Sequence, residues 1–133
     1  MIVVDGANVV GSRPDGWWRD RAGGARRLLG QLEHLAATAP GQRIILVVEG
    51  AARAVAADAV GAGAAGPGGA GAAGGVQVVA APGSGDDTIL DLAGRLAGQP
   101  GGCVVVTADR ELRRWCLAAG ASVAGPGWLF ARL

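Results

Sequence analysis

The sequence contains no lysine, and all twelve of its basic residues are arginine. That excludes Schiff-base chemistry and a Walker-type phosphate lysine. Together with heavy alanine and glycine usage, it reads as a GC-rich coding bias rather than a functional choice. Cysteine is scarce as well. Cys103 falls in a predicted strand and Cys116 on a predicted helix, with no CxxC spacing, which speaks against a zinc ribbon or a disulfide framework. Both read as reduced, buried thiols. No apolar run approaches the roughly 18 residues that span a bilayer. No basic segment followed by an apolar stretch opens the chain, so a cytoplasmic location is expected. A formal net charge of +1 excludes bulk disorder and a strongly electrostatic nucleic-acid binder. The 133 residues suit one domain with a real core.

What is present is a repeated strand-and-helix pattern. Strands are predicted at Ile2–Asp5, Arg43–Val48, Val76–Ala80, Cys103–Val106 and Ser122–Ala124. A long loop is expected from Gly6 to about Arg21, then a helix to Ala37 carrying Leu28, Leu32 and Leu35 at helical spacing. A weak helix over Ala51–Val60 leads into a Gly/Ala-rich stretch at about 61–75, expected to be flexible. A helix from about Asp86 presents Ile89, Ala93 and Leu96, and a last helix presents Leu112, Trp115, Cys116 and Ala119 as its buried stripe. Uninterrupted β-branched runs alternating with helices imply parallel strands covered on both faces, an α/β three-layer sandwich with five strands.

Acids stand where the ligand crevice of such a sheet lies, at the carboxyl ends of the strands. Asp5 closes the first strand, Glu49 follows the second, and Asp109 and Glu111 follow the fourth, while Asp86 and Asp87 open a helix. Each has an ordinary reading on its own. Asp5-Gly6 suits a turn, and Asp86, Asp87 and Asp109 suit helix starts. Asp15, Asp20, Asp58 and Asp91 read as surface charges. Taken jointly, like charges closing on one pocket make physical sense when a cation fills it. Oxygen donors without His or Cys suit Mg²⁺ or Mn²⁺ rather than zinc, and phosphate-ester hydrolysis is the reaction class that fits.

The stretches Asp5-Gly-Ala-Asn8, Gly85-Asp86-Asp87-Thr-Ile89 and Thr107-Ala-Asp109-Arg-Glu111-Leu resemble the signature motifs of the PIN-like nuclease superfamily. The first resembles its NYN branch, which includes the YacP-like bacterial ribonucleases. The later pair is also similar to the 5′-nuclease domain of bacterial DNA polymerases. The resemblance implies a mostly parallel sheet in the order 3-2-1-4-5 and an Mg²⁺- or Mn²⁺-dependent endoribonuclease. It implies Asp5, Asp86 and Asp109 as catalytic metal ligands, joined by Glu49, Asp87 and Glu111, some of them through water. Asn8 would orient Asp5 or touch substrate, and Thr107 would bond a ligand carboxylate or a phosphate. The helical arch of the polymerase-type nucleases is missing, so cleavage of flap DNA is not implied. A homodimer or an inhibitor protein partner is implied as well.

For holding single-stranded RNA, Arg13, Trp17 and Trp18 leave the first strand beside the acids, and Arg110 directly follows Asp109. Arginine gives bidentate phosphate contacts and indole faces stack on unpaired bases. The two tryptophans equally suit packing on the first long helix. Two other functions stay open. One is a hydrolase of nucleotides or other small phosphate compounds at the same site. The other is a catalytically weak module that binds RNA or protein.

Overall fold

In a β-strand, successive side chains point to opposite faces, and here each face meets its own layer of helices. A computed structural model describes residues 1–12, 19–61, 70–73 and 75–133. Strands β1 (Ile2–Asp5), β2 (Ile44–Val48), β4 (Val76–Ala80), β5 (Val104–Val106) and β6 (Ser122–Ala124) are parallel, in the order β4-β2-β1-β5-β6. This is the expected third-second-first-fourth-fifth arrangement. A further strand not foreseen in the sequence, β3 (Ala70–Ala73), lies antiparallel on the outer edge of β4. It falls within the Gly/Ala-rich stretch; residues 62–69 and 74 of that stretch lie outside the described residues.

One core joins Val4, Leu46, Val48, Val78 and Val106 to α1 (Gly6–Gly11), α2 (Arg21–Thr38), α3 (Ala54–Gly61) and α6 (Pro126–Phe130). The other joins Val3, Ile45, Val47 and Val105 to α4 (Gly85–Ala97) and α5 (Arg110–Ala118). Both faces of each central strand are therefore apolar, which is why the runs show no polar alternation.

Two readings of the sequence are corrected. The segment after β1 is not a loop but begins with α1, because Asp5 caps it: its Oδ1 accepts the Asn8 N–H at 3.3 Å. The chain turns so tightly there that a Cβ on Gly6 would stand 2.6 Å from the Val47 carbonyl oxygen. Only glycine passes that point without a shift. Trp115, placed in the buried stripe of the last helix, is 41% exposed. Leu112 and Cys116 alone fill the inward face of α5, and Ala119, also assigned to that stripe, is exposed. A nine-residue helix covering the sheet margin has room for only two inward turns.

The remaining helices start where side-chain caps satisfy their first N–H groups. Asp20, read as a surface charge, caps α2 through the Gly23 N–H at 2.8 Å. Ser84 caps α4, so Asp86 and Asp87 occupy its first turn without being the cap itself. Asp91 is exposed and pairs with Arg95 at 2.9 Å, as a surface acid does. Both cysteines are free and buried, and burial pushes the Cys116 thiol up to about 11. Among the described residues no helix is long and apolar enough to cross a membrane.

Candidate metal and phosphate site

Strand alternation aims the polar residues at the carboxyl edge. Asp5 lies two positions beyond Val3, Glu49 two beyond Val47, and Thr107 two beyond Val105. All three preceding valines belong to the core under α4 and α5. A period of two therefore delivers Asp5, Glu49 and Thr107 to one face, the face whose helices begin with Asp86 and Asp109. Register aligns them further: Asp5 pairs with Val47, and Val4 with Val106, which puts Thr107 beside Asp5.

The centre of the arrangement is a short hydrogen-bonded chain. Thr107, fully buried, donates its hydroxyl to Asp5 Oδ2 at 2.9 Å and accepts the Asp109 N–H at 3.2 Å. Asp109 Oδ1 in turn caps α5 by accepting the Leu112 N–H at 3.0 Å. Asn8 ties the two strand ends together, its Oδ1 accepting the Ala108 N–H at 2.8 Å. The Asn8 side chain thus reaches Ala108 rather than Asp5, which meets only the Asn8 backbone N–H, whereas Thr107 makes the carboxylate bond considered for it. Glu49 accepts the Gly85 N–H through Oε2, which brings the start of α4 to the end of β2.

Electrostatics follow from this crowding. Asp5 is only 6% exposed. Burial pushes its carboxyl up to about 6, with Asp86 and Glu49 adding to the rise, against the lowering bonds from Thr107 and Asn8. Burial also raises Asp86, followed by the charges of Asp109, Glu49, Asp87 and Glu111. The six acids singled out in the sequence are thus brought into one mutual field. Asp87 and Glu111 stand at its exposed margin, and Asp86, Asp109 and Glu49 are half-buried.

The acids do not form a closed cage. Among the described residues, no three or more His, Cys, Asp or Glu side chains are placed to hold one ion together. An ion bound here would therefore rest on no more than one or two of these carboxylates and keep several waters. The donor set is all oxygen, and the raised carboxyl of Asp5 marks negative charge that the protein itself leaves unbalanced.

A cavity of about 350 Å³ opens beside Glu49, between α1, α2 and the start of α4. Gly6, Val10, Ala25 and Ala52 give it apolar walls, and Arg21, Glu49 and Ser84 its polar ones. Arg110 is exposed next to Asp109. Arg13, Trp17 and Trp18 lie outside the described residues. Sequence reasoning did not single out Gly6 or Ser84, and it placed the exposed Trp115 in the core. The Ser84-to-Asp87 spacing is a capping signature that could have revealed the second.

No family model matches the chain, and no curated protein does. Among solved structures, the fold is similar to a crystal structure of a mutant of Rae1 (YacP) from Bacillus subtilis. The TM-score is 0.65 and the sequence identity 21%, covering 98% of this chain and 71% of that one. At that identity the likeness establishes a shared α/β fold, with its five parallel strands in the order 3-2-1-4-5.

Proposed function

We propose that this chain is a divalent-metal-dependent nuclease that hydrolyses RNA. The observation that carries the proposal is the buried Asp5, its carboxyl pushed up to about 6 and held by Thr107 in the field of Asp86 and Glu49. A carboxylate desolvated at a strand end, among other acids, suits charge chemistry better than stability. Asp5 with one of Asp86 and Asp109 would hold Mg²⁺ or Mn²⁺ directly, and the remaining acids, Glu49, Asp87 and Glu111 among them, would reach it through water. A bound ion supplies neutralisation of the negative charge that builds on a phosphodiester during hydrolysis. The chain's own residues prepare that step. Thr107 fixes the rotamer of Asp5, and Asn8 locks the end of β1 to the start of α5. Arg110 offers a bidentate donor for a phosphate oxygen.

RNA is favoured as substrate because the motifs at Asp5–Asn8, Gly85–Ile89 and Thr107–Leu112 resemble those of the PIN-like nucleases, whose NYN branch includes the YacP-like ribonucleases, and the fold is similar to that of Rae1 (YacP). Single-stranded regions are the expected targets. The cavity beside Glu49 favours a second reading, hydrolysis of a nucleotide or other small phosphate compound. Its volume of about 350 Å³ lies within the range of small-molecule pockets.

The test is cleavage of a labelled single-stranded RNA by purified protein with Mn²⁺, beside Asp5→Asn and a panel of nucleotides. The proposal expects RNA cleavage that needs the ion and is lost in the variant. Intact RNA with phosphate release from a nucleotide selects the second reading. Cleavage unchanged by Asp5→Asn removes the site from consideration.

A further inference from the structure

Helix α5 turns only Leu112 and Cys116 inward. Its outer surface carries Trp115, 41% exposed, and the exposed Arg110 and Arg114, with Arg113 half-buried between the faces. Among the described residues, none of these three guanidinium groups takes an ion pair or a hydrogen bond. Trp115 stands one helical turn after Glu111, and Arg114 one turn after Arg110. An i, i+4 step keeps each pair on its own line along the helix, and the two lines lie about 100° apart around it. Glu111 at the start of that surface is among the charges that raise Asp86. The indole therefore lies one turn from the acids, on the same helix that Asp109 caps.

We propose that this outer face of α5 is a docking surface for an unpaired RNA strand. Trp115 stacks one base, and Arg110 and Arg114 contact the adjoining phosphates, so that the strand is led to the acidic site. The proposal rests on the nuclease reading above and adds where the substrate lies. An exposed indole and unpaired guanidinium groups on the outer side of one helix supply the two elements of single-strand recognition, an aromatic platform and positive charge along the backbone. Leu117 is exposed on the same helix, so a protein partner is one outcome the test must separate; the guanidinium groups that share this surface with Trp115 favour a polyanion.

The experiment measures binding of an end-labelled oligouridylate by fluorescence anisotropy, in EDTA so that hydrolysis cannot intervene, and then the KM for its cleavage with Mn²⁺. Trp115→Ala is expected to weaken binding by about fivefold to a hundredfold and to raise KM alike, while Trp115→Phe stays within about threefold of wild type. Arg114→Ala is expected to lower the salt dependence of binding by roughly one phosphate contact. Melting curves should be unchanged, since both side chains are outside the core.

Wild-type affinity and KM in Trp115→Ala, with RNA still cleaved, overturn the docking surface and leave the nuclease reading standing. Loss of binding in Trp115→Ala, in a protein that binds RNA but never cleaves it, upholds the surface and overturns the nuclease. A wild type that neither binds nor cleaves RNA overturns both. If Trp115→Ala abolishes self-association or capture of a protein while RNA affinity is unmoved, the surface belongs to that partner and the proposal fails.

Discussion

The two faces of the sheet are built from alternate residues of the same strands, and they end differently at the carboxyl edge. On the face toward α1 and α2, Val4 is followed by Gly6, Leu46 by Val48, and the edge opens into a cavity with largely apolar walls. On the face toward α4 and α5, Val3 leads to Asp5, Val47 to Glu49 and Val105 to Thr107. The first face gains stability from burial all the way to its edge. The second gives up burial energy there, desolvating a carboxylate that would be more comfortable in water. Substitutions on the two faces should therefore separate stability from activity.

The largest separation is expected at Asp5. Asp5→Asn should lower RNA cleavage by roughly a thousandfold, as loss of a charged group from a reacting centre does, yet make the fold more resistant to denaturant at pH 7. The sign follows from the raised carboxyl. Between the ordinary carboxyl value of 3.8 and about 6 the folded state binds more protons than the unfolded one. Stability is then full below pH 4 and falls as pH rises through about 6. The loss amounts to about 3 kcal/mol at roughly 1.4 kcal/mol for each pH unit. Unfolding free energies from urea titrations at pH 4 and pH 7 should differ in the wild type by at least about that amount, and the difference should shrink in the variant, where Asp86 still keeps a raised carboxyl.

On the opposite face, Leu46→Ala removes a fully buried side chain and should cost about 3 kcal/mol in urea unfolding. The pH dependence of stability should survive it intact, since Leu46 faces away from the acids. A variant that lost the pH dependence too would show that the faces are not independent.

Smaller effects sharpen the positioning role of Thr107. Thr107→Val keeps the volume but removes the hydroxyl that lowers the Asp5 carboxyl. Cleavage should fall by about tenfold to a hundredfold, as for groups that orient a ligand, and the acid limb of the pH profile should move to higher pH. At the small end, Asp91→Asn breaks an exposed pair with Arg95 and should change stability by no more than about 0.5 kcal/mol in the same denaturation assay.

Much of this was readable in the chain because strand runs and helix stripes are local patterns. Ile2–Asp5, Ile44–Val48 and Val76–Ala80 announce buried parallel strands by β-branched content alone, and Ile89, Ala93 and Leu96 announce one helix face. Their order in the sheet came from resemblance, not from periodicity. The convergence of Asp5 with Asp109 depends on a bond from Thr107 across 102 positions of sequence, which no local pattern encodes. Helix α1 was hidden because Asp5-Gly6 suits a turn as well as a cap. The exposure of Trp115 was hidden because its spacing from Leu112 and Cys116 fits a buried stripe. Only the width of the sheet beneath α5 decides that it is not. The strand β3 has no signal at all in Ala70-Gly-Ala-Ala73, and backbone pairing with β4 forms it.

Everything proposed for activity depends on the α4- and α5-facing acids holding a cation. Melting curves at pH 7.5 with increasing Mn²⁺ test it most directly, in the wild type and in Asp109→Asn. An ion held by the folded state raises its stability by mass action. The account predicts a rise in melting temperature that grows with Mn²⁺ in the wild type, fades below pH 6 as Asp5 takes up its proton, and is absent in Asp109→Asn. A wild type that ignores Mn²⁺, or a variant that responds as strongly as the wild type, would contradict it.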